Sequence, residues 1–162
     1  MPEERELPSW VYTDSRPETD REYFENLTRV IFQAGLSWQL MANKWPNFKK
    51  AFDNFDIGKV AAYGAEGIGR LVEDAGIIRN RQKILATIHN AREFERIARE
   101  HGTFQSWLDS IDRSHNYDLV VKRLRSRFKR VGSGTAHIFL WSVGEGIRYD
   151  PAVHTRQPTK IA

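Results

Sequence analysis

The chain has 162 residues, no cysteine and a net charge of +4. These values exclude disulfides, thiolate nucleophiles and zinc sites built on cysteine, and they fit one domain with a self-sufficient core. The opening residues lack the apolar run of a leader and no segment approaches the ~20 apolar residues of a membrane span, which predicts a soluble, cytoplasmic protein.

Helical periodicity runs through most of the chain. Thr19 and Glu22 have the spacing of a capping box, and Phe24, Leu27, Val30 and Ile31 fall on one face behind it, with Gly35 as the stop. Ser37 caps a second helix that Pro46 should end or restart. Short helices are expected over 47–52, 56–63 and 65–74, punctuated by Gly58, Gly64, Gly67 and Gly76. The longest spans 80–100, with Ile84, Leu85, Ile88, Ala91 and Ile97 as its apolar stripe. Thr103 caps 104–111, Asn116 is placed to cap 117–128, and the last helix covers 135–143. No two-residue alternation is long enough for a sheet. The predicted fold is all-α, with eight or nine short helices in one domain over 1–144 and an irregular tail over 145–162.

Charge is clustered. Residues 122–130, K-R-L-R-S-R-F-K-R, carry six cations and no anion, and 79–83, R-N-R-Q-K, carry three more. Such clustering suits a protein that neutralises backbone phosphates, although a solvated helix face has the same composition. Behind the first cluster comes V-G-S-G-T-A, 131–136, which opens an apolar helix. A helix N-terminus presents unpaired amides and partial positive charge, and glycine lets an anion approach them closely. Gly132, Ser133, Gly134 and Thr135, flanked by Lys129 and Arg130, therefore form a candidate phosphate clasp. The bland alternative is a plain turn between two helices. His137, within the apolar last helix, reads as a core histidine, and His89 as a surface or interhelical one.

The stretch F-K-R-V-G-S-G-T-A, 128–136, resembles the helix–hairpin–helix motif L-P-G-V-G-x-x-T-A of the DNA glycosylase superfamily, with Lys129 and Arg130 in place of Pro-Gly. Q-A-G-L-S-W, 33–38, and L-V-E-D-A-G-I-I-R-N-R-Q-K-I, 71–84, are similar to two motifs of the 3-methyladenine DNA glycosylase I family, and all three occur in that family's order over about 18–144. The resemblance implies a two-lobed helix–hairpin–helix fold. It also implies a monomer that binds damaged double-stranded DNA and hydrolyses the N-glycosidic bond of alkylated purines such as 3-methyladenine. No cofactor is implied beyond a monovalent cation at the hairpin. By the same resemblance Trp38 lies against the flipped base, Gln33 bonds the base or orients the loop, and Tyr12 and Trp10 stand near the pocket. No Schiff-base lysine follows the glycines, so lyase activity is not expected.

Two departures stand out. Val30 occupies the position of a family glutamate that hydrogen-bonds the base, a loss worth about 1.5–3 kcal/mol. The Cys and His ligands of the family's zinc site are absent, so no metal is expected. In the tail, P-A-V-H-T-R, 151–156, puts His154 where the wider superfamily has a catalytic aspartate, with Glu145 and Asp150 close by as substitute candidates. The competing reading is a DNA-binding protein that kept the hairpin and lost the chemistry.

Overall fold

A computed structural model describes residues 8–148. Among them the secondary structure is helical throughout: α1 (Asp20–Gln33), α2 (Trp38–Ala51), a 3-10 turn (Asp53–Phe55), α3 (Ile57–Ala61), α4 (Ala65–Val72), α5 (Arg81–His101), α6 (Phe104–Asp109), α7 (Ser114–Arg127) and α8 (Ser133–Ser142). No helix among the described residues is long and apolar enough to cross a membrane.

The starts of these helices follow from local chemistry. Thr19, Ser37, Asn80 and Thr103 each accept the backbone N–H three residues on, satisfying a donor the helix leaves unpaired. Three expectations need correction. Pro46 neither ends nor restarts a helix, because α2 runs through it to Ala51. Proline removes one helical hydrogen bond, but Trp45 stacks on Phe48 at 5.1 Å and on Phe55 at 5.2 Å, and that core packing holds the segment in register. Asn116 does not cap α7. It lies in the left-handed region with His115 and Tyr117, and its side chain instead brackets the backbone of Arg148, donating to the carbonyl at 3.1 Å and accepting from the N–H at 2.7 Å. Leu85 leaves the apolar stripe of α5 and is 39% exposed, while Ile84, Ile88, Ala91 and Ile97 are buried.

Helix α1 is buried almost all round from Tyr23 to Gln33 and packs against α2, α3, α5, α6 and α8. An aromatic cluster continues the core toward the far end of the chain. Phe94 stacks on Phe104 at 4.7 Å, and Phe128 packs against Phe94 at 5.3 Å and against Trp107 at 6.3 Å. Full burial of a phenylalanine is worth about 1.5–3 kcal/mol. Phe128 is the last residue before the glycine hairpin, so this cluster fixes where the hairpin leaves the core.

The amino-terminal segment is tied across the end of α8. Tyr12 N donates to the Ser142 carbonyl at 2.9 Å, and Asn26 Nδ2 donates to the carbonyls of Trp10 and Ser142. Gly144, at φ +82, makes the crossing feasible: a Cβ there would meet the Ser15 carbonyl oxygen at 2.0 Å.

Candidate nucleic-acid interface and base pocket

The hairpin begins where α7 stops. Asn90 on α5, 1% exposed, grips the backbone of Lys129 from both sides: Lys129 N donates to its Oδ1 at 2.9 Å, and its Nδ2 donates to the Lys129 carbonyl at 3.2 Å. Arg130 follows at φ +63, in the left-handed region that suits glycine. The motif's glycine would sit there without strain; in this chain the clamp on Lys129 and the buried Val131 hold an arginine in that conformation. Gly132 then caps α8 with no side chain bonding the amides of Ser133, Gly134 and Thr135, which have no acceptor within the helix. Gly132 is exposed and a Cβ added to it would meet nothing within 4 Å, while Ser133, Gly134 and Thr135 are partly exposed.

Beside them lies a depression of about 470 Å³ lined by Lys83, Arg125, Arg130, Gly132 and Thr135, with Ile31 of α1 and Ala34 just beyond its end also lining it. Burial, then the neighbouring Arg130, lowers the pKa of Lys83, whose Nζ reaches the Phe32 carbonyl at 3.5 Å. The sequence marks 79–83 as basic but does not reveal that Lys83 and Arg125 share one depression with the hairpin. A monovalent cation fits this turn poorly. The Lys129 carbonyl already accepts from Asn90, and the Lys129 and Arg130 side chains add positive charge. Among the described residues no group of three or more His, Asp or Glu side chains could hold a metal ion.

At the other end of α8, roughly 15 Å away for a ten-residue helix, three tryptophans meet. Trp38 stands 5.3 Å from Trp10 and 5.8 Å from Trp141 between ring centroids. It is 7% exposed, and its buried Nε1 has no hydrogen-bond partner among the described residues. Trp10 therefore covers the ring on which a base would stack. Gln33 is buried; its Nε2 donates to the Leu36 carbonyl and its Oε1 has no partner among the described residues, so it braces the loop leading to Trp38. Val30 is a core residue at 2% exposure. Tyr12 donates from its phenol to Glu22 at 2.5 Å, and burial followed by that bond raises its pKa.

The Glu145 carboxylate is sealed from solvent and ion-paired with Arg16 Nε and Arg113, each at 3.1 Å. His154 and Asp150 lie outside the described residues. His137 is buried within α8, and His89 is half-buried.

One residue that the sequence reading passed over is central here. Arg29 is 7% exposed, and its guanidinium lies over Trp10 at 4.8 Å and over Trp45 at 5.0 Å, with Nε lacking a partner among the described residues. Burial lowers its pKa to about 10 against the opposing pull of Glu25.

The methyladenine glycosylase family model matches residues 10–127, from Trp10 to the end of α7. The chain belongs to that family. Its membership makes it a DNA glycosylase of base-excision repair, a hydrolase acting on DNA. DNA-3-methyladenine glycosylase 1 of Escherichia coli (strain K12) is 36% identical over 147 residues, covering 79% of each chain. The crystal structure of a 3-methyladenine DNA glycosylase I aligns with a TM-score of 0.71 at 28% identity, over 86% of this chain and 93% of that one. A solution structure concerned with alkylated-base recognition by 3-methyladenine DNA glycosylase I aligns at 0.67 and 36% identity, over 80% of both chains. The glycosylase described here thus keeps the family fold with valine at position 30.

Proposed function

We propose that this glycosylase acts as a cytoplasmic monomer that removes cationic alkylated purines, with 3-methyladenine as the type substrate, from damaged double-stranded DNA. The observation that supports this most directly is the placing of α8. Its N-terminus offers uncapped amides to a phosphate, and its C-terminus carries Trp141 in the cluster that holds Trp38. One short helix thus links the grip on the backbone to an aromatic site for the base.

The chemistry asks little of a general acid. N-alkylation makes the purine a cation, so it leaves neutral as the bond to C1′ breaks and water takes its place. The protein has to extrude the nucleotide, stack the base and exclude bulk water. The hairpin amides, Lys129 and Arg130 hold backbone phosphate and supply affinity without sequence preference. Trp38 stacks the base once Trp10 parts from it, where π-stacking and cation–π attraction both suit a positive ring. Gln33 acts as a positioning residue by holding the loop at Leu36. Glu145 does not enter the reaction, because two guanidinium groups occupy its carboxylate.

The second reading, a DNA-binding protein without catalysis, is favoured by Val30 in the core and by the covering of Trp38. Incubation with N-methylated duplex DNA separates the two. Release of 3-methyladenine supports the enzyme; DNA binding with no release at stoichiometric protein supports the alternative.

A further inference from the structure

The cations of 122–130 divide into two groups. Lys122 pairs with Asp118 at 3.0 Å, and Arg127 pairs with Glu93 at 3.3 Å and with Glu100 at 3.1 Å. Those charges are answered within the protein. No acid pairs with Arg125 or Arg130 among the described residues, and Arg130 bonds the neutral Gln82 at 3.2 Å. The unanswered pair lines the 470 Å³ depression beside the hairpin, together with Lys83, and no acidic residue stands among its lining.

Lys83 is the telling residue. It is 8% exposed, and its ammonium reaches one oxygen, the Phe32 carbonyl, at the long distance of 3.5 Å. An ammonium has three donors, and burying one without an anion is costly. The neighbouring charge, Arg130, opposes it. The first turns of α5 and α8 both border the depression, through Lys83 and through Gly132 to Thr135, and each adds partial positive charge. Ile31 and Ala34 add apolar surface, which suits the face of a sugar. Cations, helix ends and an apolar patch together describe a site for a sugar-phosphate.

We propose that this depression is a second backbone subsite, in which Lys83 and Arg125 hold the phosphodiester next to the one at the α8 amides. A DNA strand carries one charge per roughly 3.4 Å of helix axis, so a backbone held at the hairpin brings its next phosphate close by. Gripping one phosphate leaves the strand free to pivot, whereas gripping two in succession fixes its direction and register. Ala34 leads directly into the 35–37 loop and Trp38, so the register set in the depression determines which nucleotide faces the tryptophans. The proposal rests on the reading of the chain as a DNA glycosylase, and its test requires no base release.

The test is fluorescence anisotropy of the full chain with duplexes that carry one tetrahydrofuran abasic site and one methylphosphonate. The methylphosphonate is a neutral linkage, moved one position at a time along the strand. The wild-type protein loses about fivefold in affinity at each of two adjacent linkages. Lys83→Met binds the unmodified duplex more weakly, with a salt dependence lower by about one unit. It also becomes indifferent to one of the two linkages while keeping its sensitivity at the other. A lysine that only secured the end of α1 would instead weaken both alike. Arg125→Gln, at an exposed position, erases the same linkage and decides the matter if Lys83→Met fails to fold. One sensitive linkage or none in the wild type, or both still sensitive in the variants, would overturn the proposal. Two sensitive linkages in a protein that releases no base from methylated DNA would sink the glycosylase reading and leave the subsite standing.

Discussion

Replacing Asn90 with alanine tests whether α5 holds the hairpin in its DNA-binding shape. The Asn90 side chain makes two hydrogen bonds to Lys129, and both are lost in the variant. Each contributes about 1 kcal/mol net. Asn90 is 1% exposed, so truncation also leaves a small void. The Lys129 backbone lies close enough to solvent for water to take over part of the lost bonding, which keeps the total to about 2–3 kcal/mol. For a chain of this size that lowers the melting midpoint by roughly 5–10 °C. Freed of its clamp, the turn must be ordered again on binding, at a cost of about 1 kcal/mol, or roughly fivefold in DNA affinity. Thermal denaturation followed by circular dichroism and fluorescence anisotropy with a duplex probe measure the two effects. Asn90→Asp keeps the acceptor but turns a carboxylate oxygen toward the Lys129 carbonyl, and is expected to be at least as damaging at neutral pH. An unchanged midpoint together with unchanged affinity in Asn90→Ala would refute the clamp.

Three further outcomes are expected. Gly132→Ala folds with an unaltered midpoint, because its Cβ meets nothing within 4 Å, yet weakens binding to duplexes of any sequence at low salt by obstructing the phosphate; unchanged affinity would remove the clasp. Arg130→Gly relieves a left-handed arginine and raises stability by about 0.5–1 kcal/mol in urea unfolding, while the lost charge lowers the salt dependence of DNA binding by about one unit; a less stable variant would contradict the strain argument. Arg16, through hydrogen bonds and charge, with help from Arg113, holds the Asp109 carboxyl below its ordinary pKa. A depressed carboxylate adds stability above its unfolded value, near pH 4, and loses it as pH falls through the folded value. Asp109→Asn should therefore flatten the acid limb of the stability curve below about pH 4; an unchanged limb would show that the pair contributes nothing.

The helices were legible because their starts are written locally. Thr19, Ser37 and Thr103 carry the capping group beside the amide it satisfies, so spacing alone located them. Pro46 misled because a rule about one backbone bond was outweighed by the stacking of its neighbour Trp45 on Phe48 and Phe55, a packing arrangement that only the folded core reveals. Asn116 misled in a related way, since its partner, Arg148, lies 32 residues away. The hairpin could be read because glycines, basic residues and an apolar helix adjoin one another, whereas its support from Asn90, 39 residues distant, could not. Arg29 was the hardest to read. An arginine one residue before a valine on an amphipathic helix looks like surface, and only the fold shows Trp10 and Trp45 closing on it. Glu145 suggested chemistry through its place next to the tail, while its ion pairs with Arg16 and Arg113, distant in the chain, could not be read there.

The most direct measurement for the account as a whole is a single-turnover assay on duplex DNA carrying 3-methyladenine, with enzyme in excess and the released base followed by chromatography. The wild-type chain is expected to release free 3-methyladenine and leave abasic DNA without strand cleavage, and Trp38→Ala to lose most of that rate while still binding the duplex. No release by the wild type, or a full rate from Trp38→Ala, would contradict the account.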